Sequence, residues 1–299
     1  MSSFNQKDYP RPSVAADVVI FTVSAAEQEN YRKVAEPKLE VLLIKRSADA
    51  EDPYQGKWAL PGGFVGGKQI DDKLPYDVGT ESTEKTALIA LKRETGIEDA
   101  YLKQLFLFSN PKRDKRGWIM SCAYMALVNK DSVQPRPGKG ADEAGWFQVD
   151  YQCGPDGSGV LNLTGPASDN NKAPVSMSSK VLVNNNENGR EEPVVFEQDK
   201  NFGFDHSAII VYAIERLREE LYDSDSVFNL MPERFTLTHL QKTFEIILGK
   251  ELFMTAFRRK IQGKVVEIKD EHGDNLTTKG LNEKRGHRPS QYYKKKDID

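Results

Sequence analysis

The sequence predicts two domains: an α/β domain of strands interleaved with helices, followed by a small winged helix-turn-helix. Three observations carry this prediction. The chain has 299 residues, about twice the usual length of one domain. Its first half alternates β-branched apolar runs with a run of helical periodicity. Its last 68 residues place two short amphipathic stretches around a turn, followed by two strand-like runs.

In order along the chain, Ala16 to Val23 ("ADVVIFTV") and Leu39 to Arg46 ("LEVLLIKR") read as strands flanking a polar loop. After "GKWALPGGFV", the stretch from Ser82 to Glu94 reads as a helix. Ala87, Leu88 and Leu91 fall at helical spacing there, and Gly96 stands just past the end. "YLKQLFLF" and "WIMSCAYMALV" read as strands, and the α/β pattern ends near "AGWFQVD". Between Tyr151 and Gly203 the chain is rich in Gly, Asn, Ser and Asp, broken by "VLNL", "KVLV" and "PVVF". This is either three small strands joined by turns or a loose surface insertion. No chemistry is legible in it, and the chain has no internal repeat.

"FDHSAIIVYAIERLREELYD" opens a further helix, with Asp205 placed to cap it and Ile210, Ala213, Leu217 and Leu221 along one side. It reads either as a connection between domains or as a helix packed on the first. In "TLTHLQKTFEIILG", Thr236 is the expected cap, Leu237, Leu240, Phe244, Ile247 and Leu248 share a face, and Gly249 ends the helix. In "ELFMTAFRRKIQG", Phe253, Phe257 and Ile261 point one way, while Thr255, Arg258, Arg259 and Gln262 point the other. "KVVEI" and "QYY" then make the wing. The expected boundaries are 1–204 for a sensing domain that includes the 151–203 insertion, 205–230 for a linker helix and 231–299 for the winged helix.

Composition narrows the classes. Hydrophobic residues make up 38% and charged residues 29%, with a mean hydropathy of -0.60. No apolar run approaches the roughly 18 residues needed to cross a membrane, and the first 15 residues lack the apolar core of a secretory signal. Cys122 and Cys153 are too few for a disulfide framework or a zinc site, so a reducing cytoplasm is the expected setting. Net charge is -3 but uneven. Residues 232–299 carry 15 Lys and Arg against 10 Asp and Glu, leaving 27 against 35 in the rest. A basic C-terminal segment on an acidic body suggests two parts with different partners.

"LPGGFV" (Leu60 to Val65) followed by "ALIALKRETGI" (Ala87 to Ile97) resembles the signature of the Nudix hydrolases. That signature runs Gly, five residues, Glu, seven residues, then Arg-Glu-(apolar)-x-Glu-Glu-x-Gly-(apolar). Gly62, Gly63, Glu81, Leu91, Glu94 and Gly96 fit it. Ile89 stands for the arginine, and Ala90 and Arg93 stand for two metal-binding glutamates. Gly63 and Glu81 are 18 residues apart where six are expected, so the loop is longer. In the family, carboxylates on one helix face hold magnesium and help generate the attacking hydroxide. Ala90, Arg93 and Glu94 share such a face. A guanidinium at about 4 Å repels a cation by several kcal/mol at an effective dielectric near 20, and a divalent ion doubles that. The expectation is therefore a pocket that recognises without cleaving, with no catalytic residue and no metal. Were the site active, Glu81 and Glu94 would be left to hold magnesium.

Together with "RDKRGW", "FTLTHLQKTFEIILGKEL", "FRRKI" and "RGHRPSQYY", the chain resembles Nudix-related transcriptional regulators of the NrtR type. That resemblance implies a mixed-sheet Nudix sandwich, α/β (α+β), ahead of the winged helix. It implies a homodimeric, cytoplasmic regulator, expected to repress, that binds operator DNA. The implied effector is ADP-ribose or a related NAD or nucleotide-sugar metabolite, and no cofactor is implied. It puts Arg46, Lys57, Arg113, Arg116 and Trp118 in or near the ligand pocket. The arginine forks suit a diphosphate, and the indole can stack on a base. It puts Thr255, Arg258, Arg259 and Gln262 in the major groove. "RGHRP", with Arg285, His287 and Arg288, resembles arginine clamps of the minor groove, while Lys294, Lys295 and Lys296 suit phosphates. The rivals are a working magnesium-dependent nucleoside-diphosphate hydrolase and a winged helix that binds protein.

Overall fold

The computed structural model describes residues 11–24, 37–48, 52–66, 82–98, 100–167, 173–186, 189–278 and 290–296. The chain divides into two compact units. The first comprises residues 1–20, 41–126 and 134–213; the second comprises 21–40, 127–133 and 214–299.

A mixed sheet makes up most of the first unit. Its strands begin with β1 (Ser13–Val23), β2 (Leu39–Arg46), β3 (Trp58–Ala59) and β4 (Gly62–Phe64). They continue with β5 (Tyr101–Phe108), β6 (Ile119–Leu127), β7 (Ala141–Cys153), β8 (Ser158–Ala167) and β9 (Pro174–Leu182). The last residues of β1 and β6 and the first of β2 count with the second unit. A two-residue hairpin of β10 (Asn185–Asn186) and β11 (Gly189–Arg190) precedes β12 (Val194–Gln198). The sheet order is β12-β9-β8-β7-β2-β1-β6-β5, with β3 on β2 and β4 on β1. Successive residues of β1 from Val18 to Phe21 are fully buried, so this strand is covered on both faces and its sequence is continuously apolar rather than alternating.

Of the two readings of the 151–203 segment, strands joined by turns is the one the fold takes. β7 runs through Tyr151, and β8, β9 and β12 extend the same sheet by antiparallel pairing. Leu161, Leu163, Met177 and Val181 are buried while their neighbours Val160, Asn162 and Lys180 are not. This period-two pattern marks a sheet with one covered face.

Helix α1 (Thr83–Thr95) starts where the sequence placed it. The Ser82 side chain accepts a hydrogen bond from the Lys85 N–H, and Gly96 ends the helix at φ 76°. Helix α2 (His206–Glu220) is apolar over more than one stripe, with Ala208 to Ile214 all buried. Both Asp205 carboxylate oxygens accept from Arg113, and at the helix start it is the Asp205 backbone carbonyl that accepts the Ala208 N–H at 2.8 Å.

In the second unit β13 (Phe235–Thr236) leads into α3 (Leu237–Leu248), and α4 (Met254–Ile261) follows after a short turn. β14 (Val265–Glu267) and β15 (Tyr292–Lys295) complete a three-stranded sheet in the order β13-β15-β14, which is the wing. Thr236 accepts from the His239 N–H, and Gly249 is left-handed at φ 66°. Leu240, Phe244 and Ile247 of α3 meet Phe257 and Ile261 of α4 in the core, with the Phe244 and Phe257 rings edge to face at 5.2 Å. Each such side chain contributes about 2 kcal/mol by leaving water. Leu237 and Leu248 are only partly buried. Phe253, at helical spacing from Phe257 and Ile261, departs from the expected face: it is 86% exposed. It is the N-cap of α4, with φ -67° and ψ 120°, so helical periodicity does not extend to it.

Candidate functional site

The last turn of α1 carries the altered Nudix signature. Glu94 is 1% exposed, and both its oxygens are engaged. One accepts the Arg93 Nε–H at 2.6 Å, the other the Gly138 N–H at 2.8 Å. Arg93 also donates from Nη2 to the Gly62 carbonyl at 3.0 Å, so its guanidinium bridges the helix to the glycine turn. Gly138 closes over this pair: a Cβ there would stand 2.6 Å from Glu94 Oε1 and 2.7 Å from Arg93 Cγ. These residues do not fit magnesium. The ion needs free oxygen ligands, and here a cation of the chain already holds the carboxylate. Among the described residues no group of three His, Cys, Asp or Glu side chains converges as a metal site. Glu81 lies outside the described residues.

Beside this lock is a cavity of about 340 Å³. Its lining includes Asp17 of β1, Gly62 and Phe64 of β4, Arg93 and Glu94 of α1, and Arg113, Asp114 and Arg116 of the β5–β6 connection. Arg46, Lys139, Phe204 and His206 complete the charged and aromatic part of the wall. Its arginines are held by carboxylates. Arg113 grips Asp205 with Nε at 2.8 Å and Nη2 at 2.5 Å, Arg116 grips Asp114 at 3.1 and 2.7 Å, and Arg46 pairs with Asp52. Burial works to raise Asp114, but its hydrogen bonds from Arg116 outweigh it and hold the carboxyl below its ordinary range.

Aromatic rings face these cations. Phe204 lies 3.9 Å from the Tyr54 ring and 4.6 Å from His206, centroid to centroid, with the guanidiniums of Arg116 and Arg46 at 4.9 and 5.3 Å from it. Phe204 has φ +54°, a left-handed conformation costing a bulky residue on the order of 1–3 kcal/mol. Gln198 secures it by donating to the Phe202 and Phe204 carbonyls, while its own oxygen accepts from Ser207 Oγ. At the cavity wall, His206 Nδ1 accepts the Leu60 N–H at 2.9 Å, which leaves its proton on Nε2, 3.6 Å from Asp17 Oδ2. Burial pushes His206 down to about 3 and Asp17 up, the latter opposed by Arg113 and by the hydrogen bond from Ser121. Gly62 is required beside Asp17: a Cβ would meet Asp17 Oδ1 at 2.2 Å and the Ala16 carbonyl at 2.7 Å.

Of the expected pocket residues, the fold brings Arg46, Arg113 and Arg116 to one cavity, with Gly62, Gly63 and Glu94 of the signature. Lys57 and Trp118 do not line it. Lys57 lies over the Tyr54 ring at 5.8 Å, and the Trp118 indole N–H is buried with no hydrogen-bond partner among the described residues. The aromatic surface is made instead by Phe204 and Phe64, with Tyr54 packed against the Phe204 ring; sequence reasoning missed these along with Asp17, Lys139 and His206. "FGFDH" carried one local signal, aromatic and titratable residues gathered immediately before a helix.

On the second unit, Thr255, Arg258, Arg259 and Gln262 are all exposed, on the side of α4 away from Phe257 and Ile261. Lys260 is drawn onto the Tyr222 ring at 4.2 Å. Lys294, Lys295 and Lys296 are exposed at the wing, where Lys295 also reaches Asp225 at 3.5 Å. Arg285, His287 and Arg288 lie outside the described residues.

A sheet-based domain with a glycine turn against a helix, followed by a winged helix, defines a Nudix domain joined to a DNA-binding module. Family models match accordingly: the NUDIX domain over residues 32–151 and the NrtR DNA-binding winged helix domain over residues 227–294. The chain thus carries a NUDIX domain followed by a winged helix domain of the NrtR type. It is 29% identical over 295 residues to the ADPR responsive transcriptional repressor NtrR of Acinetobacter baylyi, covering 98% of this chain and 86% of that protein. It is 30% identical over 141 residues to an ADP-ribose pyrophosphatase of Methanocaldococcus jannaschii, covering 47% of this chain and 64% of that protein. A MutT/nudix family protein from Enterococcus faecalis shares the fold at TM-score 0.62 and 25% identity, over 96% of this chain and 88% of that one. Shewanella oneidensis NrtR complexed with a 27mer DNA shares it at TM-score 0.56 and 24% identity, over 95% and 93%. Among the described residues no helix is long and apolar enough to cross a membrane.

Proposed function

We propose that this chain is a homodimeric, cytoplasmic transcriptional repressor. Its Nudix domain senses ADP-ribose or a related NAD or nucleotide-sugar metabolite without hydrolysing it, and its winged helix holds operator DNA. The observation that carries the reading is Arg93 closed over Glu94 and Gly62, a cation standing where hydrolysis needs carboxylates free for metal. Beside it, Arg46, Arg113 and Arg116 offer guanidinium forks to a diphosphate, and Phe204 offers a ring face to a base. Because each fork already holds a carboxylate, a diphosphate binds by exchanging one anion for another, which makes ligand binding a rearrangement rather than a simple filling. Arg258, Arg259, Thr255 and Gln262 then contact the major groove, and the wing lysines contact phosphates.

The test is incubation of purified chain with ADP-ribose and magnesium, followed by calorimetry and chromatography. The expected result is saturable binding with no AMP released. Turnover of about 1 s⁻¹ or faster would replace the sensor with the alternative, an active Nudix hydrolase. That alternative draws on the pyrophosphatase relative.

A further inference from the structure

Phe253 is where the pattern of the sequence and the surface of the molecule disagree most. Its spacing from Phe257 and Ile261 is that of a core residue, yet the chain enters α4 only after it, with φ -67° and ψ 120° at the cap. The Phe257 N–H closes the first helical turn on the Phe253 carbonyl at 2.9 Å. The ring is thereby left 86% exposed, followed by Met254 at 51% and by exposed Thr255 and Ala256. Four consecutive residues at the leading end of one helix thus present apolar groups to water: a ring, a thioether and two methyls. The rest of the exposed face of α4 is cationic, with Arg258 and Arg259.

An apolar tip leading a cationic face rules out most partners. A phosphate-rich surface alone explains the arginines but not the ring, and an apolar protein surface explains the ring but not the arginines. The major groove of DNA explains both. Phosphates flank it, and the C5 methyl of thymine is the apolar group on its floor that tells one base from the others. In helix-turn-helix proteins it is the N-terminal residues of the second helix that reach base edges. We infer that Phe253 is a specificity-determining residue that reads a thymine methyl in each half of the operator, with Met254 packed beside it. This rests on the DNA-binding reading above and deepens it: the arginines give guanine recognition and affinity, the ring requires thymine at a defined position.

The experiment selects binding duplexes from a randomised library with the full chain. Each thymine in the selected sequence is then replaced by deoxyuridine, which removes only the methyl. Dissociation constants are measured for the wild type and for Phe253→Ala, whose melting temperature controls for folding. The expected result is one thymine per half-site whose replacement weakens the wild type about fourfold, the worth of one methyl-sized group leaving water, and leaves Phe253→Ala unchanged. Equal losses in both proteins, or no loss in either, would overturn the assignment while leaving DNA binding intact. A Phe253→Ala protein that changes oligomeric state in light scattering would assign the ring to a second copy of the chain and overturn it too. Failure of the wild type to select any sequence would remove the DNA-binding reading itself.

Discussion

Arg93 is the residue on which the proposed sensing without hydrolysis turns. Its guanidinium neutralises a carboxylate with no access to water, so removing it leaves the Glu94 carboxylate, among the described residues, with only the Gly138 N–H. Arg93→Ala should lower stability by about 1–3 kcal/mol in urea denaturation. Millimolar magnesium should recover part of that loss in the variant and none in the wild type, because the freed oxygen is a hard ligand. Indifference of the variant to magnesium would mean that Arg93 is not what bars the metal. His206 makes a second prediction at this scale. Its folded value near 3 lies below the ordinary 6.5, so below pH 6.5 the unfolded chain binds a proton that the folded chain does not. Its contribution is therefore complete above pH 6.5 and declines by about 1.4 kcal/mol per unit as pH falls toward 3. Asp17, raised by burial, acts in the opposite sense: its contribution is complete below 3.8 and is lost as pH rises through its folded value. Between pH 5 and 6.5 the change of the denaturation midpoint with rising pH should thus be more positive in the wild type than in His206→Asn. Identical slopes would exclude His206 as the source.

At the scale of elements, caps and turns decide where the helices begin and end. Ser82 and Thr236 each satisfy a backbone N–H three residues on. Thr236→Ala should cost about 1 kcal/mol, read as a shift of the denaturation midpoint, and Thr236→Ser should restore most of it. Gly62→Ala is expected to be worse, because its methyl meets backbone at Ala16 as well as the Asp17 carboxylate. Overpacking of this kind costs on the order of 1–3 kcal/mol, and the glycine turn would move with it. These elements were legible in the sequence because capping and periodicity are local. The 151–203 segment was only half legible, since short apolar runs among turns suit strands joined by turns and a loose insertion equally. Only pairing with β7 distinguishes them.

At the scale of the whole molecule, regulation requires that effector and operator influence each other by the same factor. ADP-ribose should weaken operator binding, and operator should weaken ADP-ribose binding equally, measured by titrating each in the presence of the other. Equal effector affinity with and without DNA would exclude allostery. Changing Arg258 and Arg259 together to Ala should weaken operator binding. Every phosphate that the variant no longer neutralises should flatten the salt dependence by about 0.9 in log–log slope, so an unchanged slope would confine both arginines to base edges.

The sequence by itself determined the two kinds of domain, the ends of α1 and α3, the altered signature with Arg93 in a carboxylate's place, and the cationic face of α4. All of these are written in neighbouring residues. Tertiary structure decided which side chains share the cavity: Asp17, Phe204 and His206 come from opposite ends of the first unit, and Trp118 is left off its wall. It also decided that Phe253 faces water. Periodicity reports which residues share a helical face, whereas a cavity is set by strand order in the sheet and by where a helix actually starts, and neither is encoded in spacing alone.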